Sequence, residues 1–361
     1  MNNNYKKLGD YIQELKFRNT DQNLEELLGI NIDKFFMPSV ANIIGTDLSV
    51  YKIVSKNQFA CNRMHVGRDD RLPISMSKSE KKFLVSPAYD VFEIKDTQIL
   101  DPEFLMMWFT RKEFDRNAWF YTDADVRGGL PWKSFCEMRL PIPHIEKQRE
   151  IVKEYNTIQN RIDLNNRLIQ KLEETAQAIY KEWFMEGIDV ENLPEGWRIG
   201  SFEELIEISS GKSVTDKSDI INEHFKYPIY GAGGIMGYSK EYLLNEKLLS
   251  MGRVGTHGIV NRINFPCWLS DNTLILKSSS YEYVYQILLC INYDEINRGG
   301  VQGLITQTDI KNLQIIIPRK SFLEKFEKIS SRIFSHQNNL EVENQKLTKL
   351  KELLLSRLAT I

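Results

Sequence analysis

The stretch Ile151-Val152-Lys153-Glu154-Tyr155-Asn156-Thr157-Ile158-Gln159-Asn160-Arg161-Ile162-Asp163-Leu164-Asn165-Asn166-Arg167-Leu168-Ile169 sets Ile151, Tyr155, Ile158, Ile162, Asn165 and Ile169 at spacings that alternate four and three, and Leu172, Ala176 and Ile179 continue the series. That alternation keeps every member on one narrow stripe of an α-helix, the signature of a coiled-coil seam. The pattern returns at Ile329, Ile333, His336, Leu340, Glu343, Leu347, Leu350 and Leu354, each 178 residues after a member of the first series. Two phase-matched copies predict two equivalent helices. Ile158, Ile162, Asn165, Ile169 and Leu172 are expected to pack in a helix pair with Leu340, Glu343, Leu347, Leu350 and Leu354. The aligned polar positions Asn165 and Glu343 are expected to fix register at some expense of stability. The first series spans about 44 Å at 1.5 Å per residue.

The repeat extends outward from the helices. Arg127-Gly128-Gly129-Leu130 leads to Leu140-Pro141-Ile142-Pro143 and then the first helix, while Arg298-Gly299-Gly300-Val301 leads to Ile315-Ile316-Ile317-Pro318 and then the second. A unit of this length is too long for a solenoid repeat and reads as a globular domain followed by a helical spacer, present twice. Trp183-Phe184-Met185-Glu186-Gly187 closes the first helix, and Leu193-Pro194-Glu195-Gly196-Trp197 opens the second half. Inside the halves, Leu48 to Val54, Phe83 to Ile94 and Leu248 to Leu276 mix β-branched and aromatic residues with Gly and Asp turns, which predicts short strands. Short helices are expected over Asp101 to Phe109 and Tyr281 to Cys290. The fold class is therefore α+β. The expected order is a domain over 1–144, a long helix over 145–186, a second domain over 187–320 and a second long helix over 321–361.

Composition narrows the function. With 42% hydrophobic and 27% charged residues, 361 residues can bury two cores. No stretch approaches the 18 or so apolar residues of a membrane span and the N-terminus has no signal-peptide pattern, so a cytoplasmic location is expected. The four cysteines, Cys61, Cys136, Cys267 and Cys290, form no CxxC pair, and the five histidines show no HxxxH or HExxH spacing, so no metal site is predicted. The net charge of −2 excludes a protein that coats nucleic acid by bulk electrostatics; DNA would have to be met by arginines gathered on one face, or with a partner's help.

Two glycine-bearing segments resemble nucleotide loops only in part. Ser210-Gly211-Lys212-Ser213 ends like a phosphate-binding loop, but Ile206 stands where the first glycine belongs. Gly231-Ala232-Gly233-Gly234-Ile235-Met236-Gly237 has Met236 in place of the third glycine of a dinucleotide loop and is better read as a turn. No catalytic triad or adenine-methylating Pro-Pro motif is present, so the chain is not expected to be an enzyme.

Two other segments suit DNA reading. Asn62-Arg63-Met64-His65-Val66-Gly67-Arg68-Asp69-Asp70-Arg71 sets arginines among turn formers, and Gly252-Arg253-Val254-Gly255-Thr256-His257-Gly258 offers Arg and His where glycines permit close approach. Arginine forks to guanine O6 and N7, Asn and Gln pair with adenine, and glycine-rich backbone can approach phosphates. The expected DNA-contacting residues are Asn62, Arg63, His65, Arg68, Arg71, Arg127, Arg253, Thr256, His257, Arg298 and Gln302. The competing expectation for each arginine is a structural pair with a neighbouring carboxylate such as Asp69 or Asp70.

Taken together these residues resemble the specificity subunit of type I restriction-modification systems. The likeness is carried by Ser86-Pro87-Ala88-Tyr89, Met106-Met107-Trp108-Phe109, Phe114-Asp115-Arg116, Val126-Arg127-Gly128-Gly129, Ile145-Glu146-Lys147-Gln148-Arg149 and Tyr180-Lys181-Glu182-Trp183-Phe184, then by Tyr230-Gly231-Ala232-Gly233-Gly234, Gly252-Arg253-Val254-Gly255-Thr256 and Ile305-Thr306-Gln307-Thr308-Asp309-Ile310. The resemblance implies two target-recognition domains separated by two long antiparallel helices with pseudo-twofold symmetry, reading a bipartite sequence in double-stranded DNA. It also implies partners: two modification subunits that bind S-adenosylmethionine and methylate adenine, and restriction subunits that use ATP and Mg. No cofactor is expected in this chain. Arg298-Gly299-Gly300-Val301-Gln302-Gly303 departs from the more usual Gly-Ser-x-Gln at that place. The alternatives are an interaction protein working through its helices and a nucleotide-dependent enzyme built on Gly211-Lys212-Ser213.

Overall fold

The computed structural model describes residues 5–39, 45–64, 66–122, 128–254, 258–296 and 303–360. The chain forms two compact units, Met1–Asn165 with Glu343–Ile361, and Asn166–Val342. The division falls inside both long helices, Ile145–Phe184 and Lys320–Arg357.

The first unit is built on a four-stranded antiparallel sheet in the order Ile12–Leu15, Asp90–Ile94, Phe59–Cys61, Ile74–Met76. A second ladder joins Tyr5–Lys7 to Arg139–Pro141, so the first strand of the unit meets the last one before the long helix. A smaller sheet places the hairpin Leu28–Ile30 and Phe36–Pro38 beside Phe83–Val85, through a parallel bridge from Leu27 to Leu84, with Lys52–Val54 antiparallel on the far side. Helices Pro102–Thr110, Lys112–Phe120 and Trp132–Glu137 complete the unit.

The second unit repeats this plan. Its main sheet runs Glu207–Ser210, Thr273–Lys277, Leu248–Gly252, Val260–Ile263, all antiparallel. Arg198–Ser201 pairs with Gln314–Ile317 as the closing ladder. In the smaller sheet Tyr227–Gly231 lies between Gly234–Ser239 and the parallel strand Trp268–Leu269, and Leu244 bridges Cys267 antiparallel. The helices Tyr281–Cys290 and Gln307–Lys311 stand where Pro102–Thr110 and Trp132–Glu137 stand in the first unit. Strand order, strand sense and helix placement agree, so the sequence repeat is a repeat of topology.

Alternation along the strands explains the cores. In the first unit Phe59, Cys61, Phe92 and Ile94 point to the larger core with Phe104, Phe109 and Phe135, while Ala60 and Val91 point to the smaller one. Phe59 and Phe92 are stacked at 5.1 Å, and Phe109 meets Phe59 edge-on at 5.9 Å. Each such ring contributes about 1.5–3 kcal/mol by leaving water. The second unit does the same with Leu249, Met251, Leu274 and Leu276 against Tyr283, Phe184 and Phe326, and with Leu248 and Ile275 on the other face.

Each unit also holds its own antiparallel stretch of the helix pair. In the first, Asn165 meets Asn344 at 2.9 Å and Gln159 meets Lys351 at 2.7 Å. In the second, Tyr180 packs on Phe326 and Trp183 on Phe322. Asn165 is buried and Ile158, Ile162, Ile169 and Leu172 are half-buried, as are Leu347 and Leu354 beside buried Leu340. The second series is otherwise turned by one residue from expectation. Ile329, His336 and Leu350 are exposed, while Ser330, Gln337, Asn344 and Lys351 occupy the inward places. Phe334 and Leu355, which are buried, each lie one residue past the expected Ile333 and Leu354; burying these apolar surfaces outweighs burying Ile329 or Leu350 and sets the helix's rotation. Glu343 correspondingly sits at the edge and takes a bidentate bond from Arg161 at 2.9 and 3.2 Å.

The helix starts are specified locally. Asp101 accepts hydrogen bonds from the N–H groups of Glu103 and Phe104, with Pro102 in the first helical turn. Gln148 is fully buried; it donates to the carbonyls of Ile99 and Pro143 and accepts from Asp101 N–H, which ties the long helix to the domain before it. No helix among the described residues is long and apolar enough to cross a membrane.

Candidate functional site

In the first unit, strand Phe59–Cys61 delivers the chain into the arginine-bearing loop. Asn62 N–H donates to Pro73 O at 2.8 Å, and its side chain accepts from Met64 N–H at 3.2 Å. The segment after residue 127 pins the loop: Leu130 N–H donates to Arg63 O at 2.9 Å and Gly67 N–H to Gly128 O at 2.8 Å. Gly67 and Gly128 approach so closely that a Cβ on Gly67 would lie 2.8 Å from Gly128 Cα, and Gly128 has φ +59°. Both positions require glycine. The floor is held by Asp115, which accepts from Leu72 N–H at 3.1 Å and from Lys34 at 2.7 Å. Burial lowers the Lys34 pKa, and the Asp115 carboxylate works against that shift.

The structure separates the arginines. Arg63 donates through Nε to Asp90 at 2.7 Å and through Nη1 to Leu130 O, and its guanidinium lies 5.5 Å over the Trp132 ring. With its side chain 18% exposed, it is a tie between strand and loop. Arg68 and Arg71 are on the surface, paired with Asp69 at 2.7 Å and Asp33 at 2.8 Å. Exposed pairs of this kind are worth little and exchange readily for a phosphate. Asn62, Arg63, Arg68 and Arg71 thus share one loop, with different jobs.

Beside this loop lies a feature that residue types alone did not single out. The helix Lys112–Phe120 ends in Trp119-Phe120-Tyr121, all exposed, Phe120 to 74%. Trp119 Nε1 donates to Gly67 O at 3.3 Å, which fixes the first ring against the loop. Three consecutive aromatics at a helix end were the available signal.

In the second unit, strand Leu248–Gly252 enters the corresponding loop. Arg253 N–H donates to Asn272 O at 3.0 Å, Ile305 N–H donates to Arg253 O at 2.9 Å, and Val254 bridges Leu304. The backbone frame is that of the first unit. The Arg253 side chain differs: its Nε is buried with no hydrogen-bond partner among the described residues. Nearby, Gln307 Nε2 donates to Ser210 Oγ at 2.9 Å, and Thr306 and Asp309 form a capping box. Arg262, by contrast, is committed internally, paired with buried Glu282 and lying 3.5 Å from the Phe334 ring centre. His65, Arg127, Thr256, His257, Arg298 and Gln302 lie outside the described residues.

The two nucleotide-like segments have other roles. Gly211-Lys212-Ser213 follows a strand and leads into no helix before the next strand at Tyr227, so the helix N-terminus that holds phosphate is missing. A Cβ on Gly211 would strike the carbonyl oxygens of Ser270 and Leu269, and Trp268 Nε1 donates to Lys212 O. Gly231–Gly234 forms the turn of a hairpin, with φ +116° at Gly234. Cys61 and Cys267 are buried, Cys136 and Cys290 half-buried, all as free thiols, and burial pushes the Cys267 thiol up to about 11. Among the described residues no three His, Cys, Asp or Glu gather as metal ligands.

Comparison with known proteins agrees with this geometry. The type I restriction modification DNA specificity domain matches residues 194–352. The HindI type I restriction enzyme specificity subunit of Haemophilus influenzae is 20% identical over 421 aligned positions, covering 90% of this chain and 91% of that protein. The MjaIX type I restriction enzyme specificity subunit of Methanocaldococcus jannaschii is 21% identical over 276 positions, covering 65% of this chain and 64% of that protein. Among solved structures, the S subunit of a type I restriction-modification system from M. genitalium superposes with a TM-score of 0.61 at 15% identity, covering 99% of this chain and 97% of that one. That last likeness is one of fold.

Proposed function

We propose that this chain is a specificity subunit of a type I restriction-modification system, that it reads a bipartite target in double-stranded DNA, one half-site in each unit, and that it performs no chemistry itself. The observation that carries the reading is the repeated frame: in each unit's main sheet a strand beside the Asp90 or Thr273 strand runs into a loop bearing an arginine, and a backbone bond from Leu130 or Ile305 pins that loop in the same way. A frame built twice presents two readers, and engagement of one half-site raises the effective concentration of the other. Two weak interactions become one specific one.

The long helices are the spacer between half-sites and the docking element for two modification subunits, whose bound S-adenosylmethionine supplies the methyl group for adenine. Restriction subunits using ATP and Mg join that complex. Phosphate contacts from surface arginines such as Arg68 and Arg71 position the duplex, and base-edge contacts specify it.

The test is to map modified adenines in a host carrying the modification subunit, with and without this chain. A two-part motif with a constant gap, present only with the chain, is the expected result. Modification that ignores the presence of the chain, or that follows an uninterrupted motif, overturns the reading.

A further inference from the structure

The registers of the two main sheets allow the two loops to be compared residue by residue. In the first unit Cys61 lies opposite Asp90, and Cys61 with Phe59 faces the larger core. In the second, Met251 lies opposite Leu274, and Met251 with Leu249 faces the larger core. Cys61 therefore corresponds to Met251, Asp90 to Leu274 and Arg63 to Arg253. The backbone bonds give the same alignment independently, since Leu130 N–H reaches Arg63 O and Ile305 N–H reaches Arg253 O. Counting on from that pair, Trp132 corresponds to Gln307.

Two of the three groups that hold the Arg63 side chain, Asp90 and Trp132, are thus missing from the second unit, while the third, the Leu130 carbonyl, has its counterpart in Ile305. Leu274 is fully buried and offers no carboxylate where Asp90 offers one at 2.7 Å. Gln307 offers no ring face where Trp132 offers one, and its amide is directed to Ser210. Arg253 has a buried Nε without a partner among the described residues, an unfavourable state for a group that stays charged at every relevant pH. Arg111 and Arg262 also have a buried Nε without a partner among those residues, so what sets Arg253 apart is that the neighbouring strand brings no carboxylate to its loop. The acceptor that fits a planar fork of donors is a pair of acceptors side by side, and on the major-groove edge of duplex DNA guanine presents that pair at N7 and O6.

We propose that Arg253 is the specificity-determining residue of the second unit, its guanidinium forking to a guanine in the half-site that this unit reads, whereas Arg63 is a structural tie that reads no base. The inference rests on the DNA-reading function proposed above. It divides two residues of the same type in equivalent places by what the opposite strand supplies: Asp90 engages one arginine with a carboxylate, and Leu274 offers the other none.

The experiment uses the full chain in complex with its modification subunit, once the wild-type motif has been mapped. Methylation rates are measured on duplexes that differ from the motif by single base pairs. Arg253→Ala is expected to lower the preference for guanine at one position of one half-site by roughly 5- to 150-fold, and to leave every other position unchanged. Arg63→Ala is expected to lower the thermal midpoint and to leave the preference at every position as it is. Arg253→Lys keeps the charge and the surroundings but cannot fork, so it should lose most of the same preference while folding normally; it decides the matter should the alanine variant be unstable. The assignment is overturned by a wild-type motif lacking a guanine in that half-site, by a uniform loss across all sequences, which marks a phosphate contact, or by unchanged preferences in a folded Arg253 variant. A wild-type complex with no sequence preference at all would instead sink the DNA-reading function on which the assignment stands.

Discussion

Asn165 donates through Nδ2 to Asn344 Oδ1 at 2.9 Å, and Asn165 is 2% exposed. This amide pair between the helices favours one register, because sliding either helix would break the bond and leave the buried Asn165 amide without it. Arg161 reinforces the same register from the rim by gripping Glu343, and it holds the Glu343 carboxyl below its ordinary pKa.

Replacing Asn165 with Ala should destabilise the first unit by about 1–3 kcal/mol through loss of this bond and its packing. Replacing Asn165 and Asn344 together with Leu should recover most of that loss, since two apolar groups fill the place of two amides. Urea unfolding followed by circular dichroism measures both; a double variant as weak as the single one would show that the amides do not act as a pair.

Adding four residues to each long helix, beside Asn165 and Asn344, lengthens a helix by about 6 Å, or roughly two base pairs of duplex. The gap between half-sites should grow accordingly while each half-site keeps its sequence. Sequencing of methylated sites reads this directly, and an unaltered gap counts against the spacer role.

Asp115 anchors both Lys34 and Leu72 N–H in a nearly dry setting. Asp115→Ala leaves a buried ammonium without its anion and should cost about 3–5 kcal/mol. Removing both charges with Lys34→Met and Asp115→Leu should cost far less. Thermal melts of the two variants settle the order; equal melts for single and double variants would mean the pair is uncoupled.

Glu327 accepts from the N–H groups of Glu282 and Tyr283 at 3.2 and 2.8 Å and so caps the helix Tyr281–Cys290. Burial, the largest influence, raises its pKa above the ordinary 4.5, and the nearby Glu282 adds to the shift. The folded chain therefore binds this proton more tightly than the unfolded chain. Its contribution to stability is fully present below the unfolded value and is lost as pH rises through the folded one. The melting temperature of Glu327→Gln relative to wild type should accordingly rise with pH across that window and level off above it. A difference that is flat with pH would show that Glu327 titrates normally.

Much of this was legible in the residues. The 178-residue offset between the two seam series announced the duplication, because a coiled-coil stripe is a local periodicity displayed by a helix that packs one narrow face against a partner. The helix over Tyr281–Cys290 and the strands within Leu248 to Leu276 followed from composition and turn residues in the same way. Less legible was the rotation of the second long helix, where Phe334 and Leu355 compete with Ile329 and Leu350 for burial and only the partners present decide which side faces in.

Arg63 and Arg253 show where local reading stops. Sequence by itself determined that each half carries an arginine at the mouth of a glycine-bearing loop, since residue type and loop chemistry are properties of neighbours along the chain. Only the tertiary structure decided that one is tied to a carboxylate of the neighbouring strand and the other is not, because the residues responsible, Asp90 and Leu274, arrive from a strand far away in sequence, and strand register brings an acid to one loop and an aliphatic residue to the equivalent place at the other.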